Sequence, residues 1–155
     1  MPQLRVLTLD QCKIRKIESL TACKKLTNLS LRGNLIEDCS VQGGAQQLIE
    51  LKSLCLSRNK ITQIRTIYGY PNLEELELDN NPLTRVHPQA TMNIKNLQSL
   101  DLSHCKFQNV HQDELKFLKR LQKLKSLYMN FCYEETDYQT LDTLPPIYDL
   151  ETLQI

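Results

Sequence analysis

His104 and Cys105 stand side by side in LQSLDLSHCKF, residues 97–107. A thiol next to an imidazole is the start of an activated nucleophile or of a zinc site. Either chemistry needs the two side chains to converge, together with a further ligand or an orienting group. Neighbours on an extended strand point to opposite sides, and no third partner is placed nearby in the sequence. Glu75 and Glu77 are a second candidate, because two carboxylates two residues apart share one face of a strand. Hydrolysis would also need a deep pocket and an accompanying base or oxyanion-stabilising turn, none of which this segment supplies. The chain has no glycine-rich phosphate loop, H-E-x-x-H or G-x-S-x-G. No catalytic residue, metal ligand or cofactor site is therefore predicted.

What positions these residues is a spacing rule that runs through the whole chain. Leu-x-x-Leu-x-Leu groups, with Met129 and Ile155 closing the last two, begin at Leu4, Leu26, Leu51, Leu73, Leu97, Leu124 and Leu150, 22 to 27 residues apart. Counting each starting leucine as position 1, position 9 reads Cys12, Asn34, Asn59, Asn81, Cys105 and Cys132. Position 11 reads Ile14, Ile36, Ile61, Leu83 and Phe107 before Glu134 breaks the column. Position 14 reads Ile17, Cys39, Ile64, Val86 and Val110 before Asp137 does the same. Three residues before each following repeat stand Cys23, Leu48, Tyr70, Ile94, Leu121 and Ile147, all apolar. Length variation thus falls in the loops, where insertions are tolerated.

These blocks resemble the leucine-rich repeat, L-x-x-L-x-L-x-x-N/C-x-L, over nearly the whole chain. The resemblance implies an α/β solenoid of six repeats plus a partial seventh, with a parallel sheet on its concave face, and 1–155 is expected to form one domain. Positions 4 and 6 alternate with polar neighbours, as a half-buried strand requires. A single repeat cannot close its own core, so stacking must complete it. Position 9 is expected to turn inward and satisfy buried backbone groups, with a thiol standing in for an amide. Cys105 then faces the interior and His104, at position 8, faces solvent. Cys12 and Cys132 join the same ladder, and Cys23 and Cys39 lie in apolar columns. That leaves Cys55 as the thiol expected to react with reagents.

The array's returns and ends are less regular. HQDELKFLKRLQK, 111–123, sets Leu115, Leu118 and Leu121 against Lys116, Lys119, Arg120 and Lys123, which reads as a short amphipathic helix with a solvated basic face. Gly43 and Gly44 predict a flexible loop. Only three residues precede the first strand. The chain is accordingly expected to be a segment of a longer protein, or to have that end covered by a partner. Residues 130–155 are similar to the cap of short intracellular leucine-rich-repeat proteins, matching at Asp137, Tyr138, Leu144, Pro145, Leu150 and Leu153. Equally, LETLQI reads as an ordinary further strand.

Nineteen Lys and Arg offset eighteen Asp and Glu, for a net charge of +1, so bulk charge draws the protein to neither nucleic acid nor anionic membrane. No apolar run approaches the roughly 20 residues that span a bilayer. The opening MPQLRVLTLDQCKIRKI carries charge where a signal peptide needs an apolar block, so an unsecreted protein is expected, and six cysteines without C-x-x-C predict reduced thiols in cytosol or nucleus. Partner choice must come from the outward strand positions 3, 5, 7 and 8. These place Arg32 beside Arg58, gather Glu75, Glu77, Asp79 and Asp101, and end on Tyr128 and Phe131, with His104 in the same row. That surface predicts a protein partner, a basic peptide or helix with an apolar anchor. The short intracellular subfamily, which includes histone-binding acidic nuclear phosphoproteins, a spliceosomal A-prime protein, an axonemal dynein light chain and a phosphatase-1 regulatory subunit, implies the same non-enzymatic role. The alternatives are a substrate-recognition segment of a larger enzyme or sensor, or a histone-binding protein of the acidic-nuclear-phosphoprotein type.

Overall fold

The computed structural model describes residues 2–20, 22–41, 48–107, 115–130, 132, 147 and 149–155. Gly43, Gly44, Val110, Phe131, Glu134, Asp137, Tyr138, Leu144 and Pro145, on which several sequence expectations rest, lie outside them. In chain order the strands are β1 Val6–Thr8, β2 Asn28–Ser30, β3 Ser53–Cys55, β4 Gln63–Ile64, β5 Glu75–Glu77, β6 Arg85–Val86, β7 Ser99–Asp101, β8 Ser126–Tyr128 and β9 Thr152–Gln154. Seven of them form one parallel sheet in the order β1-β2-β3-β5-β7-β8-β9. Parallel neighbours need a return of a dozen residues or more, which the repeat length supplies. LETLQI therefore contributes the seventh strand, paired with β8 through Leu127 and Leu153.

The register is set by the leucine columns. Leu7, Leu29, Leu54, Leu76, Leu100 and Leu127 are stacked partners across the strands. Sliding a strand by one residue would turn its leucine to water and its polar neighbours inward, so burial enforces this alignment. Behind the sheet, Leu26, Leu51, Leu73, Leu97 and Leu124 are fully buried, as are Ile36, Ile61 and Leu83 at position 11. Each such side chain contributes about 1.5–3 kcal/mol when buried, but only where a coil lies on both sides. The first coil has one neighbour, and its Leu4, Leu7, Leu9 and Ile14 are only partly covered.

Position 9 knits the coils together. Asn34 Nδ2 donates to the carbonyls of Leu9 and Leu31, both at 2.8 Å, and its Oδ1 accepts the N–H groups of Cys12 and Ile14. Asn59 and Asn81 repeat the pattern one and two coils on. Cys105 and Cys132 keep the donor half of it, their thiols reaching Leu78 O at 3.6 Å and Leu102 O at 2.9 Å in the preceding coil. The opening pair is thus divided: Cys105 is buried in the ladder and His104 is exposed. Cys12 departs from expectation. In this first coil its thiol is exposed and donates to the Asp10 carbonyl of the same coil at 3.2 Å.

Three further features differ from the sequence reading. The basic return is a 3-10 helix, Lys116–Arg120, and it buries Phe117 as well as Leu118. A spacing of three between Leu115, Leu118 and Leu121 is the 3-10 period, in which i and i+3 eclipse. Strands β4 and β6 form a second, two-stranded parallel sheet on the return side, where position 14 (Ile64, Val86) points inward. Finally, Gln11, Gly33, Arg58, Asn80 and His104, all at position 8, have φ between 55° and 68°. The chain leaves each strand through a left-handed residue, a turn that Gly makes freely, Asn and His make more readily than other side chains, and Gln and Arg make at a cost.

Candidate protein-binding face

On the outward side of the seven-stranded sheet, register turns sequence columns into rows. Position 5 runs Thr8, Ser30, Cys55, Glu77, Asp101, Tyr128 and Gln154 across adjacent strands. Glu77 and Asp101 are directly opposed, and Tyr128 follows Asp101 on the next strand. Strands lie about 4.8 Å apart, so this row sets two carboxylates and a phenol ring within roughly 10 Å. Like charges directly opposite each other oppose sheet pairing, so a cation arriving there relieves an existing repulsion. Glu75 lies beside Ser99 one row away, exposed and without a partner among the described residues.

Position 7 behaves differently from expectation. Ser57 and Ser103 occupy this outward column, yet they are buried, at 0% and 6% exposure. Their hydroxyls are held within the face: the Ser57 hydroxyl bonds to an Asp79 carboxylate oxygen, and Ser103 Oγ accepts the Asn130 N–H at 3.2 Å. Asp79's other oxygen accepts Asn80 Nδ2 at 2.7 Å. Asp79 is therefore occupied by the fold, and the exposed carboxylates are Glu75, Glu77, whose Oε2 lies at a longer 3.5 Å from the Ser57 hydroxyl, and the outer oxygen of Asp101, whose Oδ1 takes the Ser103 N–H. At the N-terminal side Asp10 Oδ1 plays the same bracing part, accepting Ser30 Oγ at 2.6 Å and the Arg32 N–H at 2.9 Å. The signal for these braces is a polar pair in consecutive coils at the same column, which reading one strand at a time does not show.

Of the predicted residues, Arg32 is half-buried and Arg58 exposed on neighbouring coils, Tyr128 is half-buried, and His104 is exposed. Phe131 falls outside the described residues. Lys25–Glu50, Lys52–Glu74 and Lys125–Glu151 form ion pairs at 2.9 Å between successive coils along the entry edge of the sheet. Being exposed they contribute little to stability, but they neutralise that edge and leave the acidic rows as the distinct charge. Among the described residues no three His, Cys, Asp or Glu side chains converge as metal ligands would.

The thiols give a direct check on the architecture. Burial raises the Cys55 thiol above its ordinary value, and it also pushes Cys39 up to about 12 and Cys132 up to about 11. The thiolate is the reacting form, so a raised pKa slows labelling at neutral pH and makes the rate climb as pH rises. Cys12 is exposed and Cys55 half-buried, whereas Cys23, Cys39, Cys105 and Cys132 are buried. With a small disulfide reagent near neutral pH, Cys12 is expected to react first and Cys55 more slowly, while the other four stay silent until urea unfolds the chain. Mass spectrometry of time points reads this; early labelling of Cys105 would contradict the inward ladder.

The arrangement is that of known proteins. A family model described as "Leucine rich repeat" matches residues 24–83 and 71–125, and one described as "Leucine Rich repeats (2 copies)" matches residues 2–42. The leucine-rich repeat-containing G-protein coupled receptor 5 of Rattus norvegicus is 38% identical over 95 residues, which are 56% of this chain and 10% of the receptor. The chain thus spans about a tenth of that relative's length. Among solved structures, a TLR13-ssRNA13 complex superposes with a TM-score of 0.66 at 21% identity, over 97% of this chain and 25% of that one. The Drosophila melanogaster SNF/U2A′ complex gives 0.62 at 18% identity, over 89% and 78%. Family models that together run from residue 2 to 125, on a parallel sheet stacked by its leucines and bound by a position 9 ladder, make this chain a member of the leucine-rich repeat family.

Proposed function

We propose that the protein is a non-enzymatic interaction module that holds a basic peptide or helix of a protein partner against the concave face of its sheet. Leucine-rich repeat domains in general mediate protein–protein interaction and are typically non-enzymatic, and none of the described helices is long and apolar enough to cross a membrane. The observation that carries the reading is the row Glu77–Asp101–Tyr128, in which opposed carboxylates stand beside an aromatic ring on an otherwise small and polar face. A lysine or arginine of the partner would lie between Glu77 and Asp101, with Glu75 beside it, while an apolar neighbour packs on Tyr128. Aromatic side chains are frequent binding hot spots, and complementary charge chiefly sets specificity and association rate.

The test is titration calorimetry of the whole chain with a lysine-rich peptide carrying one leucine. Glu75→Gln, Glu77→Gln and Asp101→Asn together are expected to weaken binding about tenfold and flatten its salt dependence. Tyr128→Ala is expected to weaken it by a similar factor without changing the salt slope. Asp79 is left in place because Ser57 and Asn80 depend on it. Unchanged affinity in both variants would remove the proposal.

A further inference from the structure

The near-zero net charge conceals a segregation of charge within coils three and four. Coil four turns Glu75, Glu77 and Asp79 outward on its strand side, where coil three adds only Arg58 as a charge, whereas beyond the bend the two coils carry Lys60, Arg65, Arg85 and His87. The second sheet organises that basic side. Gln63 pairs with Arg85 and Ile64 with Val86, and the His87 N–H donates to Ile64 O at 2.8 Å, so the strands run on in register to Arg65 and His87. Ile64 and Val86 point inward, and Gln63, Arg65, Arg85 and His87 are all exposed on the other side. They form a two-by-two cell, about 4.8 Å across the strands and about 6.6 Å along them, with the two arginines on its diagonal.

This cell lines a groove of about 630 Å³ that also takes in Met92, whose side chain is 47% exposed. No carboxylate among the described residues engages either guanidinium. His87 Nδ1 accepts the Gln89 N–H at 3.3 Å, which puts the proton of the neutral ring on Nε2 and makes its free edge a donor. The groove is thus lined by two planar forks and an imidazole donor, with a pliable thioether alongside.

We infer that this groove is a second binding site, independent of the concave face, for an acidic peptide segment: one anionic side chain is held between Arg65 and Arg85, and a neighbouring apolar side chain packs on Met92. Arginine binds carboxylate and phosphoryl oxygens through paired hydrogen bonds, so a glutamate or a phosphoserine presents the chemistry required. A nucleic-acid strand fits less well. It needs a basic track along several phosphates and aromatic platforms for its bases, and this is a single cell without a stacking ring apart from His87.

The experiment uses fluorescence anisotropy of the whole chain with four labelled probes: a Glu-Glu-Leu-Glu-Glu peptide, its central phosphoserine counterpart, the same peptide with lysines, and a single-stranded RNA of equal length. The acidic peptides are expected to bind and the lysine peptide not to bind at this groove; a tighter phosphoserine arm identifies the phosphoryl group as the preferred anion. Arg65→Ala with Arg85→Ala should weaken the acidic probes by at least about tenfold. Met92→Ser should weaken them about threefold, through lost apolar contact. Lys119→Ala with Arg120→Ala removes the same charge from another exposed surface and should leave affinity unchanged. Equal loss in that control, tighter binding of RNA than of either acidic peptide, or no acidic binding by the unaltered chain would each overturn the inference.

Discussion

Replacing Asn59 with alanine is expected to lower the free energy of unfolding by about 3 kcal/mol, a large part of the stability of an ordinary domain. The side chain is 4% exposed and holds three buried backbone groups. Its Nδ2 donates to Leu31 O and Leu56 O at 3.0 Å each, and its Oδ1 accepts the Ile36 N–H at 3.0 Å. Each group left without a partner in a dry interior costs about 1–3 kcal/mol, partly offset if the coils shift to admit water. Asn59→Cys supplies the contrast, because the thiols of Cys105 and Cys132 already reach a carbonyl of the preceding coil from the same position. It restores the donor and not the acceptor, so a loss of about half as much is expected. Urea unfolding followed by circular dichroism gives both values. If alanine costs no more than cysteine, hydrogen bonding at position 9 is not what binds successive coils.

Such a test separates what the sequence specified from what only the folded chain reveals. The leucine columns and position 9 were legible because burial and backbone satisfaction recur once per coil, and a recurring demand leaves a recurring residue type. Leu54, Leu76 and Leu100 stack, and Asn34, Asn59 and Asn81 turn inward, as that periodicity requires. What escaped was set by neighbouring coils. Ser57 is polar and occupies an outward column, yet it is buried because Asp79 happens to stand next to it. Cys12 satisfies the ladder pattern and is still exposed, in a coil whose Leu4, Leu7, Leu9 and Ile14 are themselves only partly covered. The left-handed turn at position 8 did leave a trace in Gly33 and Asn80, but Gln11, Arg58 and His104 in the same column masked it. For the candidate face, sequence placed Glu77, Asp101 and Tyr128 in one row, but not that Asp79 is consumed by the fold while Glu75 remains open.

Phe117→Ala is expected to cost about 4 kcal/mol, within the range for emptying a buried aromatic site. Phe117 was absent from the apolar set that spacing identified, because Leu115, Leu118 and Leu121 share one face of the return and Phe117 leaves from another. The 3-10 geometry brings both faces inward: Leu115, Phe117, Leu118 and Leu121 are each 1% exposed or less. The turn is also tied to the coil before it, since the Thr91 hydroxyl donates to Phe117 O at 3.3 Å. A short 3-10 turn has poor internal hydrogen bonding and depends on packing to persist, so the cavity should loosen the turn as well as remove contacts. In a solenoid the damage propagates only to neighbours, and the unfolding transition should broaden as coils five and six separate from the rest. Lys119→Ala, on the exposed side of the same turn, should stay within about 0.5 kcal/mol of the unaltered protein. Equal stability of the two variants in urea would mean that the return does not close the core at Phe117, and that the last coils are held by the sheet alone.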